Sequence, residues 1–243
     1  MTSFPCGESR FVVPESHEER VALQREIAER AAWRSSGEDV LGTDAVVVGV
    51  DQGFRDDEAV SAAVAMRGGD VVERSVASAP LPMPYVPGLL AYREGPAICA
   101  ALDGLGVEPD VVLFDGSGRI HYRQAGIATH VGVLRDVRSI GVAKNLLCGS
   151  SRTSLDVPLE RDERVAIEAD DEVEAPAGTV IGYAYQSRQY DETASQWINP
   201  LYVSPGHRID AVSSVDVVAE HCATHKLPEP IRRADAVVAD RTG

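Results

Sequence analysis

Two aspartates close apolar runs in this chain: Asp51 follows Ala45-Val-Val-Val-Gly-Val50, and Asp115 follows Val111-Val-Leu-Phe114. A carboxylate at a strand end is a candidate ligand for a hard divalent cation, which prefers carboxylate oxygen and keeps several of its waters. One such aspartate alone is more often a turn or cap residue. Two on adjacent central strands would meet at one edge of a sheet, where a cation activates water and neutralises charge on phosphate. The surroundings favour that chemistry. Gly116, Gly118 and His121 follow Asp115, and the next apolar run, Ile140-Gly-Val-Ala143, ends at Lys144. His121 can hold a phosphate or the leaving group, and the Lys144 ammonium can stabilise phosphate charge. Glu94, at the start of an expected helix, can add a third carboxylate. Hydrolysis of a phosphodiester is the reaction that these residue types suit.

Other groups read as structural. His221 and His225 are four apart but lack the glutamate of a His-Glu-x-x-His motif. His130 falls in an apolar helix and is expected to be buried. Ser117 and Ser204 have no adjacent base, and Gly116-x-Gly118 lacks the third glycine of a dinucleotide loop. Cys6, Cys99, Cys148 and Cys222 are scattered, which suits small buried side chains rather than a disulfide frame or a zinc knuckle.

The elements that must position these groups follow from the hydrophobic pattern. Residues 1–15 are expected to be a flexible segment. Ser16 is a plausible cap for a helix to about Trp33, with Glu18 and Glu19 in its first turn. Strands are expected at Ala45–Phe54, Ala59–Arg67 and Asp70–Ala77, the last two joined by a Gly68-Gly69 turn. A helix over Leu90–Leu105 leads to a short, wholly apolar strand, Asp110–Phe114, of the kind buried on both faces. A helix near Ile127–Leu134 and a strand at Ser139–Ala143 complete the first half. Strands at Arg164–Glu168, Thr179–Gln186 and Leu201–Val203 and a helix over Val212–Cys222 complete the second. Antiparallel strands followed by alternating strand and helix predict an α/β protein with a ribonuclease-H-like mixed central sheet flanked by helices. The 243 residues suffice for one domain spanning 1–243.

Charge narrows the setting. The net charge is −15, with Lys144 and Lys226 as the only lysines, so nearly all positive charge is arginine. An acidic, lysine-poor chain suits high salt, where the Debye length shrinks to about 3 Å at 1 M. Phosphate binding needs basic residues, and between 111 and 153 Arg119, Arg123, Arg135, Arg138, Lys144 and Arg152 face only Asp115 and Asp136. No apolar run approaches the roughly 20 residues of a membrane span. No signal-peptide layout opens the chain. A cytoplasmic monomer without a membrane partner is expected.

Longer motifs carry a resemblance. Tyr85-Val-Pro-Gly-Leu-Leu-Ala-Tyr-Arg-Glu-Gly-Pro96, Asp115-Gly-Ser-Gly-Arg-Ile-His121, Gly126-Ile-Ala-Thr-His130, Ser139-Ile-Gly-Val-Ala-Lys-Asn-Leu-Leu-Cys-Gly149, Val203-Ser-Pro-Gly-His-Arg-Ile209 and Leu227-Pro-Glu-Pro-Ile-Arg-Arg-Ala-Asp235 occur in this order. Together they resemble the endonuclease V family of deoxyinosine-directed repair nucleases, over about Glu18 to Asp235. The resemblance implies a ribonuclease-H-like fold and hydrolysis dependent on Mg²⁺, with Mn²⁺ as a substitute. The implied cut is at the second phosphodiester 3′ to a deaminated adenine, leaving 3′-hydroxyl and 5′-phosphate ends.

By the same resemblance, Asp51, Asp115 and Glu94 would be metal ligands, with Asp235 as a further acidic member. His121, Lys144 and His207 would surround the scissile phosphate. Pro84-Tyr85-Val86-Pro87 would be a wedge that fills the space left by the displaced base, and a proline-bracketed aromatic is stiff enough for that task. The hypoxanthine pocket would form around Gly88, Leu90, Gly116, Gly118 and Leu147. Two departures bear on specificity. Ser117 stands where the family commonly has histidine, and Gln52-Gly53-Phe54 differs from the usual residues after the first aspartate. Two alternatives stay open: an inosine-specific endoribonuclease, and an inosine-binding module without catalysis. Retention of all three carboxylates, His121 and Lys144 argues against the second.

Overall fold

The computed structural model describes residues 11–37, 40–190 and 196–243. Most of the expected flexible segment and Cys6 lie outside them. Of residues 11–15, Phe11 is buried, its ring stacked on His130 at 5.0 Å. Helix α1 (His17–Arg30) starts at Ser16, whose hydroxyl accepts from Glu19 N while the Glu19 carboxylate accepts from Ser16 N. This reciprocal cap satisfies two amides that a helix start otherwise leaves bare. The helix ends at Arg30, short of Trp33, where Ala31 turns to extended backbone (ψ of 133°), and the Trp33 indole donates to the Gly206 carbonyl at 2.9 Å.

Three antiparallel strands follow, β1 (Val47–Arg55), β2 (Glu58–Arg67) and β3 (Asp70–Pro80). Gly68 and Gly69 turn between β2 and β3 with φ of +59° and +87°, a left-handed conformation that glycine adopts without strain. Helix α2 (Leu90–Asp103), β4 (Val111–Asp115), α3 (Ile127–Arg135) and β5 (Ser139–Ala143) come next. The rest comprises β6 (Ser150–Ser151), β7 (Arg164–Glu168), β8 (Val180–Tyr185), β9 (Leu201–His207), α4 (Ala211–His221) and α5 (Glu229–Thr242).

All these strands join one sheet in the order β3-β2-β1-β4-β5-β9-β8-β7-β6. β4 runs parallel to β1 and to β5, and the other pairings are antiparallel, so the sheet is mixed. Helices flank it on both faces. α2 and α3 cover one, where Tyr92, Ile98 and Val131 meet Val48, Val50, Val112 and Phe114. α4 and α5 cover the other, where Val215, Val218 and Ile231 meet Val47, Leu113, Ile140 and Val142. Both layers bury apolar side chains, so the central strands are apolar on both sides and end in polar residues only at the sheet edge.

Candidate active site

Strand register brings the two aspartates together. β1 and β4 pair in parallel, Val47 with Val111 and Gly49 with Leu113, and these residues share one face of the sheet. Side chains alternate with a period of two, so Asp51 and Asp115 occupy the next step on that same face. They interact directly. On β5, Ile140 and Val142 lie on this face, which carries Lys144 into the same row just past the strand end. Its ammonium donates to Asp115 Oδ2 at 2.7 Å. Glu94 reaches the same edge from α2, near enough to feel the charges of Asp51 and Asp115. Asp235, on α5, adds its charge to Asp51 and Lys144. Gln52 donates its amide to the Asp115 carbonyl at 3.1 Å and so ties the two strand ends.

The electrostatics are those of crowded acid. Burial, reinforced by the charges of Asp115 and Asp235, pushes the Asp51 carboxyl up to about 7. Burial also pushes Glu94 up to about 8, against the pull of Arg93 and with the help of Asp51 and Asp115. Burial opposes the Lys144 charge, yet the bond to Asp115 and the nearby Asp51 and Asp235 outweigh it and raise its pKa. Glu94 is 3% exposed, and its Oε2 has no hydrogen-bond partner among the described residues. Among the described residues, no three His, Cys, Asp or Glu side chains already close around one metal-sized point. The donor set still fits a hard cation: three carboxylates, one with a bare buried oxygen, repel each other until positive charge is added.

Not every expected residue joins them. His207 pairs with Ser139, the first residue of β5, whereas Lys144 follows the last, so they lie at opposite ends of that strand. Its Nδ1 accepts from Ala32 N at 3.2 Å, and its Nε2 meets Asp136 Oδ1 at 3.1 Å. His121 is buried with both ring nitrogens engaged. Nδ1 accepts from the Arg123 and Ala125 amides at 3.2 and 3.4 Å, which leaves Nε2 to donate to the Gly88 carbonyl at 3.0 Å. In this structure the imidazole joins two loops and presents no free nitrogen to a phosphate. His221 and His225 bond separately, to the Val217 carbonyl and to Thr224. The basic residues of 111–153 do not make one face. Arg135 pairs with Asp103 and Arg152 with Glu168, and Arg138 and Lys144 flank β5 at opposite ends.

The residues expected to form a wedge lie in the segment just before α2. Tyr85 is 62% exposed between Pro84 and Pro87. Gly88 has φ of +75°, a turn a larger residue would resist. Leu90 opens α2, Gly116 and Gly118 follow β4, and Leu147 packs beside Ile120 and Cys148 in a smaller core. Pattern reading missed three supports. Arg93 donates to the Met83 carbonyl at 2.9 Å, and Gln24 and Arg123 reach the Gly88 carbonyl. One signal was available: Gln24 is three residues before Ile27, on the stripe that α1 buries.

Behind the site His130 is wholly buried between Phe11 and Tyr92, and burial pushes its imidazole down to about 3. The unfolded chain takes up that proton near 6.5, so its neutral form stabilises the fold fully above that pH and progressively less below it. Lowering the pH from 7.5 to 5.5 should therefore cost the wild type about 1.4 kcal/mol relative to His130→Leu. Urea unfolding at the two pH values measures this. A gap that does not change with pH would contradict a neutral His130.

Comparison with known proteins gives the family. Residues 26–236 match the family described as Endonuclease V. An endonuclease V of Halobacterium salinarum is 58% identical, over 92% of this chain and 85% of its own. The crystal structure of endonuclease V from Streptomyces avermitilis superposes with a TM-score of 0.80 at 32% identity, covering 94% of this chain and 93% of its own. An endonuclease V of Ciona intestinalis, solved with a 24mer DNA containing an inosine followed by a ribo-adenosine, shares the fold with a TM-score of 0.72 at 24% identity, covering 92% and 96%. The chain belongs to the endonuclease V family.

Proposed function

We propose that this protein is a divalent-cation-dependent endonuclease that recognises deaminated adenine in DNA and hydrolyses the second phosphodiester 3′ to it, in DNA repair. The observation that carries the reading is the register of β1 and β4, which sets Asp51 beside Asp115 at one sheet edge with the bare Glu94 oxygen close by. Asp51, Asp115 and Glu94 would hold the ion, Mg²⁺ with Mn²⁺ as a substitute, and Asp235 would add its charge. When bound, the ion supplies Lewis acidity and charge neutralisation at the phosphate.

The chain's own groups do the rest. Lys144, held by Asp115, presents a cation beside the position of the scissile phosphate. Tyr85 fills the gap left by the displaced base, and Gly88, Leu90, Gly116, Gly118 and Leu147 surround it. The inosine-containing DNA bound by the Ciona protein supports the substrate. The described strands form one sheet, which supports a single domain, and a monomer is the proposed working state. The acidic, lysine-poor composition and the similarity to the Halobacterium protein support work at high salt. No helix among the described residues is long and apolar enough to cross a membrane.

End-labelled DNA and RNA strands, each with one inosine, test the reading when incubated with Mg²⁺ and then EDTA from low to molar salt. A single nick one nucleotide beyond the inosine, in DNA, lost with EDTA, is the expected result. Preference for the RNA strand would favour the endoribonuclease. Binding without any cut would make the chain a recognition module.

A further inference from the structure

The Gly88 carbonyl receives three donors. Gln24 Nε2 lies at 2.8 Å, His121 Nε2 at 3.0 Å and Arg123 Nη2 at 3.2 Å. Gln24 Oε1 in turn accepts from Arg123 Nε at 2.7 Å, so the amide and the guanidinium hold one another while both hold the carbonyl. Gln24 is fully buried although it belongs to a charged surface helix. A buried amide with both ends satisfied is a rigid contact: losing it removes one of the three donors that fix the carbonyl and leaves Arg123 Nε without its acceptor.

Gly88 is the residue just after Pro87. At the other end, Arg93 Nη1 holds the Met83 carbonyl at 2.9 Å, just before Pro84. Exposed Tyr85 therefore projects from a four-residue segment fixed on both sides. Inserting an aromatic between stacked bases costs a few kcal/mol of unstacking. A segment that also had to be ordered on insertion would add a further entropic cost. Holding the segment in place beforehand removes that second cost.

We propose that Gln24 is a positioning residue for opening of the double strand: with Arg123 it holds the Gly88 carbonyl, makes α1 part of the wedge, and keeps Tyr85 ready to insert. This rests on the nuclease reading above. Its consequence is a selective one. A duplex must be parted before the base can enter its pocket, whereas a single strand has no partner to part. Loss of the Gln24 donor should act on duplex substrate far more than on single-stranded substrate. A defect in folding or in the carboxylate site would lower both alike.

The test compares kcat/KM on an inosine-containing duplex and on the same strand alone. Gln24→Glu keeps the length and the Arg123 contact but removes the N–H that reaches Gly88, and Gln24→Met, which removes both, serves if the acid prevents folding. Tyr92→Phe is the control for a loosened α1, since the Tyr92 hydroxyl donates to the Arg20 carbonyl at 2.7 Å and not to Gly88, Gln24 or Arg123. We expect the Gln24 variant to lose at least about tenfold more activity on duplex than on single strand. The control should keep the wild-type ratio of the two. Equal losses on both substrates, or the same altered ratio in Tyr92→Phe, would overturn the role of Gln24 and leave the nuclease reading intact. A wild type that cuts neither substrate would instead overturn that reading, and this inference with it.

Discussion

Replacing Asp115 by asparagine should lower the cutting rate at least about a hundredfold, some 2.7 kcal/mol of transition-state stabilisation, while inosine-strand binding stays measurable. The size of the effect follows from how much rests on this one carboxylate. It is the partner of Asp51 across the sheet edge, and its Oδ2 takes the Lys144 ammonium at 2.7 Å. Asparagine preserves shape and the backbone carbonyl that Gln52 holds. It removes the negative charge and with it the direct ion pair to Lys144. Single-turnover cutting with matched binding curves measures both halves of the claim. Turnover within threefold of the wild type would contradict the assignment of Asp115.

The second large effect is one of packing. Gly49 lies one step before Asp51 on the same face, and α5 crosses directly above it. A Cβ there would sit 2.0 Å from the Pro230 carbonyl carbon and 2.4 Å from Ile231 N. These are backbone atoms and cannot swing aside as a side chain would. Gly49→Ala should therefore lift the start of α5, at a cost of about 3 kcal/mol, the upper end of the usual range for overpacking. In a chain of this size that lowers Tm by roughly 6–12 °C. Cutting should also fall, since α5 carries Asp235. Gly106→Ala is the matched control: a Cβ there meets nothing closer than a Glu73 carboxylate oxygen at 3.5 Å. Equal melting temperatures for the two variants would show that α5 yields freely and that the close approach does not matter.

Much of the site was legible because its physics is local. An apolar run stopping at an aspartate means a strand buried on both faces that emerges into a polar edge, and Asp51 and Asp115 both fit that pattern. Ser16 with Glu19 marked the start of α1 for an equally local reason. Helix α5 was missed as an element. It opens at Pro228 with no side-chain cap, and it buries only Pro230, Ile231, Ala234 and Val238. That stripe is narrow within a charged segment, although a proline in the first turn with apolar residues three and four apart was a readable signal.

β9 runs to His207, four residues beyond its expected end, because Pro205-Gly206 looks like a stop. The pairing shifts register there, Ile140 with Pro205 and Ser139 with His207, and such an irregularity accommodates a proline inside a sheet. The same extension carries His207 away from Lys144. Nothing in sequence spacing could have shown that His121 spends both nitrogens on loop contacts, or that Gln24 meets Gly88 across 64 residues. Those are tertiary contacts between segments with no pattern in common.

Whether the edge carboxylates hold a divalent cation is read from anomalous diffraction of crystals soaked in Mn²⁺. One strong peak or a close pair among Asp51, Asp115 and Glu94, lost in Asp115→Asn, is the expected result. A peak elsewhere on the protein with none at this edge, under conditions where the enzyme cuts, would contradict it.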